Sequence, residues 1–524
     1  MLRLRRLLPA AALLAAAAFP TGAAASANQQ SIIQDDPQLK ANPVATLATF
    51  RELGVDRVRV TLNWSTIAPN ATSRTMPAHF NASDPAAYPA GNWAPYDKIV
   101  RYATAEGLGL NFMIAGPAPR WAEGAGEPAG GPFGVWKPSV SQFGAFVAAV
   151  GRRYSGGYRP SRGAAALPRV SFWSIWNEPN YGQDLAPQAI SHDSVPVSAG
   201  QYRGLVAAAW GSLAATGHTM RHDTILIGET APRGFLHPIG NFGGMKPLPF
   251  LLALYCVNSG YYQLRGSAAA AIGCPTTAAG SRRFRAHNPA LFQASGFADH
   301  PYASQSNPQA PTVPTSNTPG LRADHQYADL PELGYLEGLL DRVNRVYGSA
   351  SRFAIWDTEY GYRTRPPDRY GVSQATAAYY ENWAEYLSWK QSRVASFTQY
   401  QLVDSSNGSF ASGLELPGGA HKATFDAFRM PLYMPFTSER RGTRLEVWGD
   451  VRPAYTASGR QQVQVQFQRG SRGAFATVQT VRLSNARGYF DTRVGFAATG
   501  SVRLMWTDPT RQRIYSRTQQ ITVR

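Results

Sequence analysis

The chain has 524 residues and a mass of 56.9 kDa; hydrophobic residues make up 44% and charged residues 16%, which suits a sizeable core and excludes wholesale disorder. A mean hydropathy of −0.28 and the lack of a long apolar run beyond the N-terminus exclude a multi-span membrane protein. The formal charge of +18 comes mostly from arginine, without a run of five basic residues or a nucleic-acid-binding motif, so no nucleic-acid partner is expected.

The chain opens on Met-Leu-Arg-Leu-Arg-Arg, continues through a Leu/Ala stretch to Phe19, and reaches small residues at Ala23–Ala27. That order reads as a secretory signal peptide over residues 1–27, cleaved near Ala25–Ala27. Its apolar part is too short to remain as a membrane span. A secreted, monomeric protein is expected.

From Ser31 onward, short apolar runs alternate with helical patterns. Ser31–Ile33 opens a first strand, and a helix follows Asn42-Pro43 and stops at Gly54. Further strand-then-helix pairs are Val58–Leu62 with Tyr96–Ala105, Leu108–Ala115 with Ser141–Tyr154, and Val170–Trp176 with Ala199–Ala215. Thr224–Ile227 pairs with Phe250–Cys256, Phe297–Ala298 with Leu333–Tyr347, Phe353–Trp356 with Gln374–Trp389, and Val394–Leu402 with Lys422–Phe428. Eight β-then-α units over residues 28–436 predict an α/β fold of the (β/α)8 TIM-barrel type. An open doubly wound sheet is the alternative, but no Gly-x-Gly-x-x-Gly or phosphate loop follows the first strand.

The long polar connections, Ser65–Asn92, Arg120–Pro138, Pro179–Pro196 and Ala303–Leu330, follow strands. In a barrel they gather on the C-terminal face, where active sites are built. Val257–Ala294 follows a helix instead. The two cysteines of the chain, Cys256 and Cys274, are expected to form a disulfide stapling this insertion away from the chemistry; two thiols alone fall short of a zinc site. Residues 437–524 show period-2 runs separated by Gly and Ser turns, which predicts a C-terminal antiparallel β-sandwich accessory domain. It carries 15 arginines against five acids, so it either binds polymer or braces the barrel.

Two glutamates stand where an apolar strand meets its loop. Strand 4 ends Phe172-Trp173-Ser174-Ile175-Trp176-Asn177-Glu178-Pro179, and strand 7 ends Ile355-Trp356-Asp357-Thr358-Glu359-Tyr360-Gly361. Two carboxylates flanking a glycosidic bond are what sugar hydrolysis needs. One protonates the leaving oxygen, and the other attacks the anomeric carbon or activates water. Glu123, Glu229, Asp299 and Asp404 are rival acids at the same rim, of which Glu229 is read as a structural or positioning residue. Strict alternation puts Asn177 and Glu178 on opposite faces, so strand 4 must end or bulge there.

The Asn177-Glu178-Pro179 element, paired with Thr358-Glu359-Tyr360-Gly361, resembles clan A of the glycoside hydrolases. Residues 30–436 are most similar to family 39 and family 5-like enzymes. The resemblance implies retaining double displacement, with Glu178 as general acid/base and Glu359 as nucleophile. On that division Glu359 should have donors or positive charge nearby, and Glu178 should sit against an apolar wall that keeps it protonated. The resemblance also implies that Asn177 binds the sugar 2-hydroxyl and that Arg59 lies beside the nucleophile. His300 and Tyr302, in Asp299-His300-Pro301-Tyr302, would touch sugar or nucleophile. Strand 8 departs from the pattern: Phe397-Thr398-Gln399-Tyr400 stands where clan members often carry Trp, with Gln399 or Tyr400 as the substitute. Trp64, Trp121, Trp136, Trp176 and Trp356 are candidate sugar-stacking residues.

The expected function is therefore a secreted glycosidase acting on a β-linked polysaccharide or oligosaccharide, with no metal and no organic cofactor. A non-catalytic carbohydrate-binding cell-surface protein and a transglycosylase are the alternatives.

Overall fold

The computed structural model describes residues 26, 28–303, 324–453 and 459–524. Apart from Ser26, the signal peptide expected within residues 1–27 lies outside the described residues, bar none of its basic head and apolar stretch, and so does most of the connection read at Ala303–Leu330.

Eight strands close into a barrel: β1 (Gln30–Gln34), β2 (Arg57–Asn63), β3 (Gly109–Ala115), β4 (Phe172–Ile175), β5 (Thr224–Thr230), β6 (Gly296–Asp299), β7 (Ala354–Asp357) and β8 (Val394–Tyr400). Every neighbouring pair is parallel, and β1 closes on β8 in the register Gln30↔Ser396 to Gln34↔Tyr400. The TIM-barrel expectation therefore holds.

Period-2 alternation explains what fills the barrel. Ile32, Phe172, Leu226, Ala298 and Trp356 form one buried apolar cluster, with Phe172 edge-on to Trp356 at 4.9 Å. Two residues further along three of these strands come Ser174, His300 and Thr358, all with no exposed surface. The barrel thus has an apolar floor with a polar layer on top of it. Strand side chains of the other parity, such as Val58, Val60 and Leu62, pack outward into the main hydrophobic core.

The connecting helices follow the patterns closely. Pro43–Glu52 is followed by Gly54 at φ 71°, and Gln374–Trp389 starts from a Ser373 cap whose side chain accepts from the Thr376 amide. The helix expected at Tyr96 begins at Ala90 instead and runs through Pro95, which lacks the N–H that would bond to the Gly91 carbonyl. The insertion before β6 holds three helices of its own, Gly266–Ala271, Ala278–His287 and the short Ala290–Gln293. It carries the Cys256–Cys274 disulfide, with Cα atoms 5.6 Å apart and 18 residues of separation. Closing a loop of that length is worth about 3 kcal/mol on the chain-entropy model. Cys256→Ser with Cys274→Ser should lower the denaturant-unfolding free energy by about that amount and leave the pH optimum of any activity unchanged.

The C-terminal module is two sheets. One pairs Leu432–Tyr433, Leu445–Gly449 and Phe490–Val494; the other orders Ser438–Glu439, Gln519–Val523, Gly500–Thr507, Gln462–Arg469 and Ala476–Arg482. All pairings are antiparallel except Ser438–Glu439 with Gln519–Val523. Met430, Leu432 and Met434, upstream of residue 437, also pack in the sandwich core. A two-residue strand is too short to show a period of two.

The sandwich is fastened to the barrel beside helix Gln374–Trp389 and near the starts of β1 and β2. Trp448 and Tyr489 pack on Tyr386 and Trp389, Arg487 pairs with Asp56, and the buried Arg452 pairs with Glu385. A Cβ at Gly54 would lie within 3 Å of Arg452 and Pro453. Glycine there serves both the positive φ and the close approach of the two modules. Asp56 immediately precedes β2, so this contact lies at the end of the barrel opposite the C-terminal strand ends.

Candidate active site

At the C-terminal strand ends the chain leaves regular geometry to aim its carboxylates. β4 stops at Ile175, and Trp176 and Glu178 then adopt φ of 70° and 37°. These left-handed residues turn both Asn177 and Glu178 toward the mouth, which strict alternation forbids. At the end of β5, Gly228 (φ 112°) and Glu229 (φ 53°) make a register shift against β6 that swings Glu229 inward. A Cβ at Gly228 would meet the Ala298 carbonyl at 2.4 Å, so glycine is required at that step. Such strain in non-glycine residues persists where the surrounding structure over-determines it.

Arg59, fully buried on β2, is the hub. Its Nη1 donates to Glu359 Oε1 at 2.6 Å and also to Gln34, while its Nη2 donates to Glu229 Oε2 at 2.8 Å and lies 3.4 Å from Asn177 Oδ1. Burial works against the buried guanidinium's charge, but Glu229 and Glu359 outweigh it and raise its pKa. Tyr302 donates its hydroxyl to Glu359 Oε2 at 3.2 Å. Glu359 thus meets a cation at one oxygen and a phenol hydroxyl at the other.

His300, also fully buried, spans the carboxylates. Its Nδ1 stands 3.0 Å from Glu178 Oε1 and 3.7 Å from Glu359 Oε2, and its Nε2 stands 2.9 Å from Glu229 Oε2. Burial disfavours the imidazolium, but the charge of Glu359 and the hydrogen bonds to Glu178 and Glu229 dominate and push its pKa up to about 10. Glu229 answers in the opposite sense. Burial would raise it, yet Arg59 and His300 hold it at about 2. Thr358 adds a donor to the same oxygen at 2.8 Å, so Glu229 is an anionic anchor beneath the site.

Glu178 departs from expectation. An apolar wall should keep it protonated, but although burial alone would raise its pKa, the hydrogen bond and charge of His300, helped by Arg233 and Arg59, lower it. The neighbour kept protonated at neutral pH is Asp184. Burial and the charge of Glu178 push it up to about 8, and it accepts from Asn177 Nδ2 at 2.9 Å. Asn177 is therefore clamped between Asp184 and Arg59.

Among the described residues, Glu178, His300 and Glu359 are a trio whose donor atoms, one from each, all lie within 4.8 Å of one another. A metal there would need a neutral imidazole, whereas these carboxylates favour the imidazolium and Arg59 already supplies positive charge to Glu359.

Linkage gives this network a measurable signature. The His300 pKa rises from 6.5 to about 10 on folding, so its protonation stabilises the fold fully below the unfolded value and that contribution fades as pH climbs through the folded one. Wild type should lose stability between about pH 6.5 and 10 relative to His300→Gln in denaturant titrations. Parallel pH profiles for the two proteins would contradict the buried imidazolium.

The structure thus gathers Glu178, Glu359, Asn177, Arg59, His300 and Tyr302 in one layer. It does not bring Trp64, Trp121 or Gln399 to them. Trp64 has no exposed surface and packs on Phe143 and Phe146 in the outer core. Trp121 donates to the Pro69 carbonyl and packs edge-on to Trp64. Gln399 donates to the Ser412 and Gln401 carbonyls. Trp176 is fully buried, Trp356 belongs to the barrel floor, and Trp136 packs on Phe242. Of the rival acids, Glu123 lies 3.5 Å from Arg120, Asp404 pairs with Lys422 at 2.7 Å, and Asp299 accepts from Thr230. Gln34 and Thr358, at or just beyond a strand end, and Asp184, in the loop after β4, join the site as well; strand-end position is the signal the first two offered.

No family model matches the chain, and a search of curated proteins finds no match. Solved structures show distant likeness. A family 39 glycoside hydrolase from the gut symbiont Bacteroides cellulosilyticus WH2 aligns at 14% identity and a TM-score of 0.45, covering 90% of this chain and 79% of that one. A GH5-4 broad-specificity endoglucanase from Clostridium acetobutylicum aligns at 11% identity and 0.42, covering 77% and 98%. A GH30 endoxylanase from Clostridium papyrosolvens C71 aligns at 9% identity and 0.44, covering 90% and 95%. At such values the barrel's own topology carries the fold, and the site's own geometry must carry the function.

Proposed function

We propose that the chain is a secreted retaining glycoside hydrolase acting on a β-linked polysaccharide or oligosaccharide, with Glu359 as nucleophile and Glu178 as general acid/base. The observation that carries this reading is the approach of a Glu178 oxygen to within 4.8 Å of a Glu359 oxygen. Retaining enzymes hold their carboxyl groups about 5–5.5 Å apart, against about 6.5–9.5 Å when water must fit between sugar and base.

The charge layout supports the division of labour. Glu359, faced by the Arg59 guanidinium and the Tyr302 hydroxyl, attacks the anomeric carbon and forms a glycosyl ester as the bond to the leaving oxygen breaks. The leaving oxygen takes its proton from the Glu178–His300 pair. His300 Nδ1 lies 3.0 Å from Glu178 Oε1, so the imidazolium passes its proton to the Glu178 carboxylate, the resulting carboxyl group hands it to the leaving oxygen, and His300 is left neutral. Water then attacks the ester, the same pair accepts its proton, and Glu359 leaves. The leader sequence and the disulfide support export to an oxidising compartment.

The test is the anomeric configuration of freshly released sugar, read by proton NMR across a panel of aryl β-glycosides. Retained β-anomer is expected, and inverted product would overturn the assignment. Transfer to an added acceptor sugar in preference to water would point to transglycosylation.

A further inference from the structure

Beside the catalytic layer lies a cavity of about 500 Å³, lined in part by Tyr181, Arg233, Phe242, Tyr302, Arg363 and Phe410. Tyr302, whose hydroxyl bonds Glu359, is part of the lining, so the cavity adjoins the reacting carboxylates. The aromatic lining suits the apolar faces of a sugar ring; Phe410 stands edge-on to Tyr302 at 5.4 Å.

The arginines of the surrounding loops differ in one respect. Arg120 lies 2.7 Å from Glu127, Arg74 pairs with Glu127 as well, and Arg363 lies 3.3 Å from Asp368. Arg233, on the loop after β5, has no carboxylate within 4 Å among the described residues. Arg233 is an exposed residue whose guanidinium lies 4.8 Å from the Tyr181 ring centre and is close enough to Glu178 for each to feel the other's charge. A planar cation with no carboxylate partner among the described residues, at the wall of a sugar-sized cavity, is suited to bidentate capture of an oxyanion.

We propose that this cavity is a subsite for an anionic sugar residue, in which the Arg233 guanidinium pairs with a carboxylate or sulfate on the ring. The inference rests on the glycosidase reading and narrows its substrate class from glycans in general to acidic ones. The anionic group sits in the cavity, outside the gap between Glu178 and Glu359, so it leaves room for the anomeric centre.

Two measurements test it. The first is binding of glucuronate, glucose 6-sulfate and glucose to the full-length protein by calorimetry. The charged sugars should bind about 10- to 100-fold more tightly than glucose, the span of one charge-assisted hydrogen bond. Arg233→Gln should erase the difference and Arg233→Lys should keep part of it. Whichever charged sugar binds more tightly identifies the oxyanion. The second is the ratio of kcat/KM for aryl β-glucuronide or 6-sulfated aryl β-glucoside over plain aryl β-glucoside, which should fall toward one in Arg233→Gln. A purely structural role for Arg233 would lower both rates and leave the ratio alone. Equal binding of charged and neutral sugars, or a preference that survives Arg233→Gln, overturns the subsite. Charge-selective binding through Arg233 with no aryl glycoside cleaved would instead overturn the glycosidase reading and leave the subsite standing.

Discussion

Turnover is expected to fall by on the order of 10⁴-fold or more in Glu359→Gln, with the thermal unfolding profile close to wild type. The substitution removes the atom that forms the glycosyl ester. It leaves Arg59 with Glu229 and Gln34 as partners, so the guanidinium is not stranded. Glu178→Gln is expected to behave differently. It should cost about 10²- to 10⁴-fold on substrates whose leaving group needs a proton, and far less on nitrophenyl glycosides, whose leaving group departs as a stable anion. Added azide separates the roles further. In Glu359→Ala a small anion attacks the anomeric carbon directly, in one displacement, and the glycosyl azide has inverted configuration. In Glu178→Ala azide attacks the ester formed on Glu359, in a second displacement, and configuration is retained. The opposite pattern would exchange the two assignments, and wild-type rates in both glutamine variants would remove the enzyme reading altogether.

The second large effect concerns the joint between the modules. Arg452 is 2% exposed, with Glu385 on the barrel side and Asp450 of its own module at 2.9 Å. Tyr489 also donates to Glu385 at 3.1 Å. Removing one partner of a buried pair leaves a charge without compensation, which costs about 3–5 kcal/mol. Arg452→Met should therefore destabilise the whole chain by that amount in urea titrations. Pairing it with Glu385→Leu should recover part of the loss, because apolar replacement of both partners is often near neutral. A loss under about 1 kcal/mol, the range of exposed pairs, would show the joint to be solvated. Tryptophans of both modules, Trp389 and Trp448 among them, meet at this joint, so fluorescence reports whether barrel and sandwich come apart in one step.

The barrel was legible because each unit is a short apolar run, a polar stretch and a periodic helix, and because Gly54 and the Gln374–Trp389 pattern mark their own limits. The two glutamates were legible because an acid at the end of an apolar strand has one sensible place to go. Direction was not. Trp64 ends its strand just as Glu178 does, but it starts a short helix, Trp64–Ile67, and turns into the outer core. Gln399 lies near the end of β8, yet its amide satisfies loop carbonyls. The protonation of Glu178 was also hidden. Burial was foreseeable, but the imidazole that outweighs it comes from residue 300, and no local pattern says that Nδ1 of that ring lies 3.0 Å from Glu178 Oε1. In the sandwich, Phe490–Val494 and Leu432–Tyr433 are short and take their identity from the sheet they complete.

The apolar plug under the catalytic layer has one last implication. Ile32, Leu226 and Ala298 have no exposed surface, so apolar packing lies directly beneath His300 and Glu229. The exposed groups of the network are Glu178 and Glu359, whose side chains are each 13% exposed at the mouth. On the glycosidase reading, a ring seated in that mouth would cover them, and the acidity of the medium would act at the moment of loading instead of during the chemical step.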